Sequence, residues 1–515
     1  MALPVESLNE KTSKSYARVR VSEGFPYNTY DVLEPVLSKN DLEKAKAFIR
    51  VILRQGSISE LQKVIPSVTL STEFRKQVIQ PIDMKGIIQK LPVPADFDAI
   101  EAAFLLIVKK LKIENPEMFT RYVMDETIGY RDISEMMRDE QLEEIMINGS
   151  HRNLFVFHRK HGMCKTNIVA EEHGFAIDII MRVSQTVNKQ FNESHPLLDA
   201  RLPDGSRANA TFSYVTPFGH SLTIRRFSKI PLSVIHVIEN NTISVELAAF
   251  LWLMVEGLNV DPMNVIVTGG AGSGKTTLLN ILSSFIPFQN RILSIEDTLE
   301  LDLGVRENWI QMESKPKIKD LAEVTMDDLL KNALRMRPDR LIVGEVRGPE
   351  AQTMFVAMDT GHRGILGTVH SNTSREMMLR LKTSPMNVPE SMLPLLDLVV
   401  VMQRSYSKES GMIRTIKHVS EISNMGEKVL LSNIFEFERK KGVVKRTDIP
   451  SGIFEDLAQR AGLSKNELKG EMLVRQRILE WMLEQGIKGR DKVESIIQEY
   501  YSNPKGLLER ITGEI

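Results

Sequence analysis

The chain has 515 residues and balances 66 Lys+Arg against 67 Asp+Glu, a formal charge of −1. That balance lacks the basic excess of an avid nucleic-acid binder, and 42% hydrophobic with 26% charged residues is ordinary for a globular chain of several cores. A single cysteine, Cys164, excludes an intramolecular disulfide and any multi-cysteine zinc site, and suits a reducing cytosol.

Residues 1–38 are polar and irregular, with Gly24, Pro26 and Pro35, and read as an arm. From Asn40 to about Leu111 apolar residues recur at helical spacing, with Asp41 as an N-cap and Gly56 as a stop. Residues 1–118 are therefore expected as a helical, peripheral region. Over 119–228, short alternating runs such as Asn153–His158 and Ser221–Phe227 read as strands of an α+β domain, with turns at Asn148-Gly149, His161-Gly162 and Asp204-Gly205. Pro231 marks a linker at 229–236.

From 237 to 412 strands and helices alternate. Asn264–Thr268, Arg291–Ile295, Leu341–Val343, Ile365–Val369 and Leu398–Met402 are near-continuous apolar strands. Lys275–Ile286, Met326–Arg337 (capped by Thr325) and Glu350–Asp359 are helices. This pattern predicts an α/β core built on a parallel sheet covered on both faces. Residues 413–515 carry antiparallel strand signals and then charged helices, read as a small C-terminal subdomain. No stretch spans a bilayer: Leu247–Val260 reaches 14 residues and includes Glu256, so it reads as a buried helix. The N-terminus shows no secretory signal.

The chemistry concentrates in four stretches. Gly269, Gly270, Ala271, Gly272, Ser273, Gly274, Lys275, Thr276 and Thr277 satisfy Gly-x4-Gly-Lys-Ser/Thr between a predicted strand and a predicted helix. Glycines let backbone N–H groups turn toward phosphate, and the helix offers its positive end. Lys275 would neutralise the β- and γ-phosphates of ATP, and Thr276 would hold Mg²⁺. Glu345, after the strand Leu341–Val343, is the candidate for aligning water or supporting the metal. Gly344 stands where an aspartate is usual, so the metal needs another carboxylate. The run Glu296, Asp297 and Glu300 supplies one, and Glu296 is the candidate. Thr276, Glu296 and Glu345 are thus the Mg²⁺-holding set, directly or through water. His370, ending the strand Ile365–Val369, is the candidate to sense the γ-phosphate or to carry motion to the interface.

Together, Gly269–Thr277, Ile295–Glu300, Leu341–Arg347 and Thr360–Asn372 strongly resemble the Walker A, Asp, Walker B and His boxes of the secretion ATPase superfamily. Those enzymes power type II and type IV secretion, type IV pili and archaella. The resemblance covers roughly 120–425 and is nearest to the archaeal branch of archaellum motor and pilus ATPases. The four-cysteine zinc insertion of many bacterial members is absent, and Gly348 stands where many members have Asp. The resemblance implies a RecA-like core, a homohexameric ring and docking beneath a polytopic membrane platform protein. It also implies a pilin-like or archaellin filament as the system served, with no nucleic acid partner. The expected place is the cytoplasm, peripherally associated with the inner face of the membrane. It further implies that the N-terminal domain sends arginines to the phosphates, with Arg201, Arg207, Arg225 and Arg226 as candidates and Arg207 and Arg225 preferred. An archaeal pilus or secretion ATPase is the alternative to an archaellum motor. A RecA-like DNA-translocating motor is a distant alternative, disfavoured by the near-neutral charge.

Overall fold

A computed structural model describes residues 18–513, apart from 34–36, 53–100, 102–103, 107, 110–112, 128, 172, 227–231, 316, 318–321, 408–410 and 426–427. The expected stop at Gly56 and the linker proline Pro231 lie outside the described residues. The chain forms two compact units, Met1–Lys229 and Ile230–Ile515.

In the first unit, eight strands make one sheet in the order β1-β2-β5-β4-β3-β8-β7-β6. They are β1 Arg18–Ser22, β2 Asn28–Leu33, β3 Leu142–Asn148, β4 Asn153–His158, β5 Gly162–Val169, β6 Leu197–Arg201, β7 Arg207–Thr211 and β8 Ser221–Arg225. Alternation drives the sheet: Leu154 and Val156, Ala208 and Ala210, and Leu222 and Ile224 are buried in one cluster with Ile179, Ile180 and Val183. A satellite core joins helix α1 (Lys39–Ile52) to helix α2 (Pro116–Thr127), with Phe48 edge-on to Phe104 at 5.4 Å and to Phe119 at 6.1 Å.

Two expectations need correction here. Residues 18–33 are not an irregular arm, since β2 pairs in parallel with β5 and Asn167 clamps it by two hydrogen bonds to the Val32 backbone, 2.9 and 3.0 Å. Asp41 is not the N-cap of α1. The helix starts at Lys39, and the Asp41 N–H donates to Ser38 Oγ at 3.2 Å. The position 118/119, where the sequence texture changes, falls inside α2.

The second unit holds a nine-stranded sheet, β11-β10-β12-β13-β9-β14-β15-β16-β17. β9 Val265–Gly269, β10 Ile292–Glu296, β11 Trp309–Glu313, β12 Arg340–Val346, β13 Leu366–His370 and β14 Leu398–Ser407 run parallel. β15 Gly411–Met425, β16 Lys428–Glu438 and β17 Val443–Arg446 extend the same sheet antiparallel. Both faces are covered: Val265, Val267, Leu398 and Val400 enter one core, while Ile266, Leu341, Val343 and Val399 enter the other. This is the α/β architecture, a parallel sheet covered on both faces, that the alternation predicts.

Helix α3 (Val245–Glu256) is apolar nearly all round and buried, with Ser244 capping its start and Gly257 in the left-handed region, φ 61°, ending it. Helix α4 (Lys275–Ser284) follows the glycine loop, and α5 (Met326–Ala333) carries the Thr325 cap but stops short of Arg337. Helix α6 is Glu350–Asp359, and α7 is Ser374–Lys382. Helix α8 (Lys465–Glu484), in the C-terminal region, packs Leu468, Met472, Leu479 and Met482 into the core that holds α3. Its fully buried Arg475 meets Glu256 at 3.0 and 2.7 Å. Among the described residues no helix is long and apolar enough to cross a membrane.

Candidate functional site

Parallel strands deliver their carboxyl ends to one edge of a sheet, where loops and helix N-termini converge. Here that edge gathers Gly269 from β9, Glu296 from β10, Glu345 from β12 and His370 from β13. His370 and Met402 both lie beside Gly269 in register. The ladder between β12 and β13 breaks between Val343 and Val346, a bulge that re-aims Glu345.

The glycine loop has the geometry its sequence requires. Gly272 and Gly274 take φ of +66° and +93°, in the left-handed region that a side chain resists. No side chain caps the start of α4, so its N–H groups and dipole face the loop interior. The Lys275 ammonium donates to the Gly269 and Gly270 carbonyls, each at 3.0 Å. That position lies across the mouth of the loop, where incoming phosphates would compete for it.

The neighbouring carboxylates differ in burial and in hydrogen bonding. Glu296 is 1% exposed, and its oxygens accept from the N–H groups of Glu300 (2.6 Å) and Leu301 (2.8 Å) and from Gln311 Nε2 (2.9 Å). Burial raises its carboxyl above the ordinary glutamate range, despite those donors. Glu296, the candidate metal carboxylate, thus holds the turn after β10, and the turn presents Glu300, which accepts from Thr276 Oγ1 at 3.2 Å. Gly344 has a steric reason: a Cβ there would lie 2.9 Å from Glu296 Cγ.

Glu345 accepts from Arg347 Nη2 at 2.6 Å. Burial alone would raise its carboxyl, but the Arg347 hydrogen bond and charge, with Lys275 and His370, outweigh burial and hold it below the ordinary range. Glu345 is therefore ionised at neutral pH. Burial and then Lys275 lower the His370 imidazole, leaving it neutral at pH 7, and Arg380 fixes its backbone by donating to the His370 carbonyl at 2.6 Å. Next to Gly348 stands the carboxylate of Glu350. It accepts from the Arg347 and Gly348 N–H groups at 2.6 and 2.7 Å, and a Cβ at Gly348 would lie 3.0 Å from it.

No group of three or more His, Cys, Asp or Glu among the described residues could hold a metal ion. Mg²⁺ takes one or two protein groups and completes its shell with phosphates and water. Thr276 and Glu300 match that donor set.

The arginine candidates separate into two kinds. Arg226 Nη1 donates to the Met136 carbonyl at 2.8 Å, a structural contact. Arg201, Arg207 and Arg225 instead lie directly opposite one another across β6, β7 and β8, since Arg201 pairs with Arg207 and Arg207 with Arg225. Like charges directly opposite on a sheet repel. Two further arginines, Arg404 and Arg414, reach the glycine loop from β14 and β15. No motif in the sequence marks either of them.

The family described as Type II/IV secretion system protein matches residues 127–428. One uncharacterized protein of Methanocaldococcus jannaschii is 31% identical over 93% of this chain and 85% of its own length. Another from the same organism is 52% identical over 45% of this chain, a match that spans only 32% of that relative. The solved structure of the Legionella pneumophila ATPase DotB is 18% identical, with a TM-score of 0.42 over 70% of this chain and 93% of DotB.

Proposed function

We propose, from the premise that this chain belongs to the type II/IV secretion system protein family, that it hydrolyses ATP as a homohexameric motor. It would drive assembly of a pilin-like filament, the archaellum foremost, from the inner face of the membrane beneath a polytopic platform protein. The observation carrying the enzymatic reading is the juxtaposition of Lys275, Thr276–Glu300 and the ionised Glu345 at one sheet edge.

In this reading the loop N–H groups and the start of α4 cradle the phosphates, and Lys275 leaves the Gly269 and Gly270 carbonyls to neutralise them. Mg²⁺ would supply further charge neutralisation, held by Thr276 with Glu300 in support. Glu345 orients water for in-line attack and takes up its proton as the bond forms. Arg347 keeps that carboxylate ionised until then. The row Arg201, Arg207 and Arg225 belongs to the other unit. In the proposed motor at least one of Arg207 and Arg225 acts on the phosphates, which makes turnover conditional on conformation. An arginine supplied in this way contributes about 10³–10⁵ in rate in related NTPases.

The test is a pair of full-length variants. Lys275→Ala should lose tight ATP binding in isothermal titration. Glu345→Gln should bind Mg-ATP nearly as wild type and release phosphate roughly 100-fold or more slowly. Phosphate release by Glu345→Gln within a factor of two of wild type would overturn the assignment of Glu345.

A further inference from the structure

β14 runs parallel to β9 in register until Met402 lies beside Gly269. There β9 ends and the chain turns into the glycine loop, but β14 continues to Ser407, paired only with β15. The overhanging hairpin passes directly along the loop. A Cβ at Gly269 would lie 2.7 Å from the Met402 carbonyl oxygen, and one at Gly274 would lie 3.5 Å from both Met402 Cε and Arg414 Cδ. The loop's glycines therefore serve this packing as well as the turn.

Two side chains on the hairpin are out of keeping with a passive brace. Arg404 and Arg414 are directly opposite partners in the β14–β15 ladder. Both reach the same loop residue: Arg414 Nε donates to the Gly272 carbonyl at 2.9 Å, and a Cβ at Gly272 would lie 2.7 Å from Arg404 Nη1. A guanidinium does not deprotonate in a protein. Both therefore keep their charge beside the loop that holds Lys275.

We propose that Arg404 and Arg414 form a second cationic arm of the nucleotide site, supplied by the same unit as the glycine loop. Arg404 contacts the phosphate oxygens of a bound nucleoside di- or triphosphate, matching their geometry with its fork of donors. Arg414 is a positioning residue, which fixes the Gly272 peptide plane so that the loop keeps its phosphate-binding shape. The overhang of β14 and β15 thereby ties the loop to the antiparallel half of the sheet. This inference rests on the nucleotide-binding reading of the loop and adds two residues to it.

The test measures ADP affinity by isothermal titration on the full chain, across a range of salt concentrations, for wild type, Lys275→Ala, Arg404→Gln, Arg404→Lys and Arg414→Gln. Arg404→Gln should weaken ADP binding about tenfold and flatten its salt dependence, because a charge pair screened by salt has been removed. Arg404→Lys should recover the salt dependence and most of the affinity. Arg414→Gln should weaken ADP binding while leaving the salt dependence closer to wild type. Arg404→Gln with wild-type affinity and salt slope overturns the proposal alone, provided Lys275→Ala has lost binding. If Lys275→Ala still binds ADP normally, the nucleotide reading falls and this proposal with it. Unchanged ADP affinity in Arg404→Gln with an altered oligomeric state assigns the pair to a subunit contact and also overturns it.

Discussion

Gly344→Ala probes why a glycine stands where an aspartate is usual, and its cost can be worked from the packing around it. Gly344 lies on β12, and its φ is outside the left-handed region. Alanine therefore meets no backbone strain and would gain about 0.4–1 kcal/mol from a less mobile unfolded chain. Against that, the new Cβ would lie 2.9 Å from Glu296 Cγ and 3.4 Å from Glu296 Cβ. Glu296 cannot step aside easily, because it is 1% exposed and held by Glu300, Leu301 and Gln311. Overpacking of this kind costs about 1–3 kcal/mol, so the net destabilisation should be about 1–2 kcal/mol. Truncating the obstacle should reverse the sign. In a Glu296→Ala background, itself destabilised by lost charged hydrogen bonds, Gly344→Ala should be neutral or stabilising, a coupling of about 2 kcal/mol. The assay is convenient because Trp252, Trp309 and Trp481, the only tryptophans, all lie in the second unit. Urea unfolding followed by tryptophan fluorescence therefore reads that unit alone. The reasoning is refuted if Gly344→Ala is as stable as wild type, or if its cost is the same with and without Glu296.

Arg347→Ala removes the hydrogen bond and charge that hold the Glu345 carboxyl low, leaving burial to push it upward. The acidic limb of the rate profile should then move to higher pH, since a base with a raised pKa is protonated earlier as pH falls. An acidic limb unmoved in steady-state phosphate release would remove Arg347 from the site's electrostatics. Full-length Arg207→Ala and Arg225→Ala should keep ATP affinity within about threefold while at least one loses roughly 10³-fold or more in turnover. Single-turnover rates matching wild type in both variants would show that neither arginine acts on the phosphates.

The sequence by itself determined what short-range chemistry controls. The glycine loop is legible because left-handed turns and a phosphate-facing helix start demand those residue types at fixed spacing. The buried helix Val245–Glu256 is legible from its all-round apolarity, and the Thr325 cap from its place before an acidic first turn. The alternation of apolar strands and helices likewise specified a parallel sheet covered on both faces, and with it the edge where Glu345 and His370 emerge. Tertiary structure alone decided which of several nearby carboxylates would be buried and which would face Thr276. Glu296, Asp297 and Glu300 share one strand end, and only the fold shows that Glu296 turns inward to bind the N–H groups of Glu300 and Leu301. Glu300 is thereby left for Thr276. The strands at 18–33 were hidden for a related reason, because β2 exists by pairing with β5 from beyond residue 160. The arginine pairings Arg201–Arg207–Arg225 and Arg404–Arg414 are facts of register. Register is fixed by long-range hydrogen bonding and by which face is buried, and neither is written in the residues that end up opposite one another.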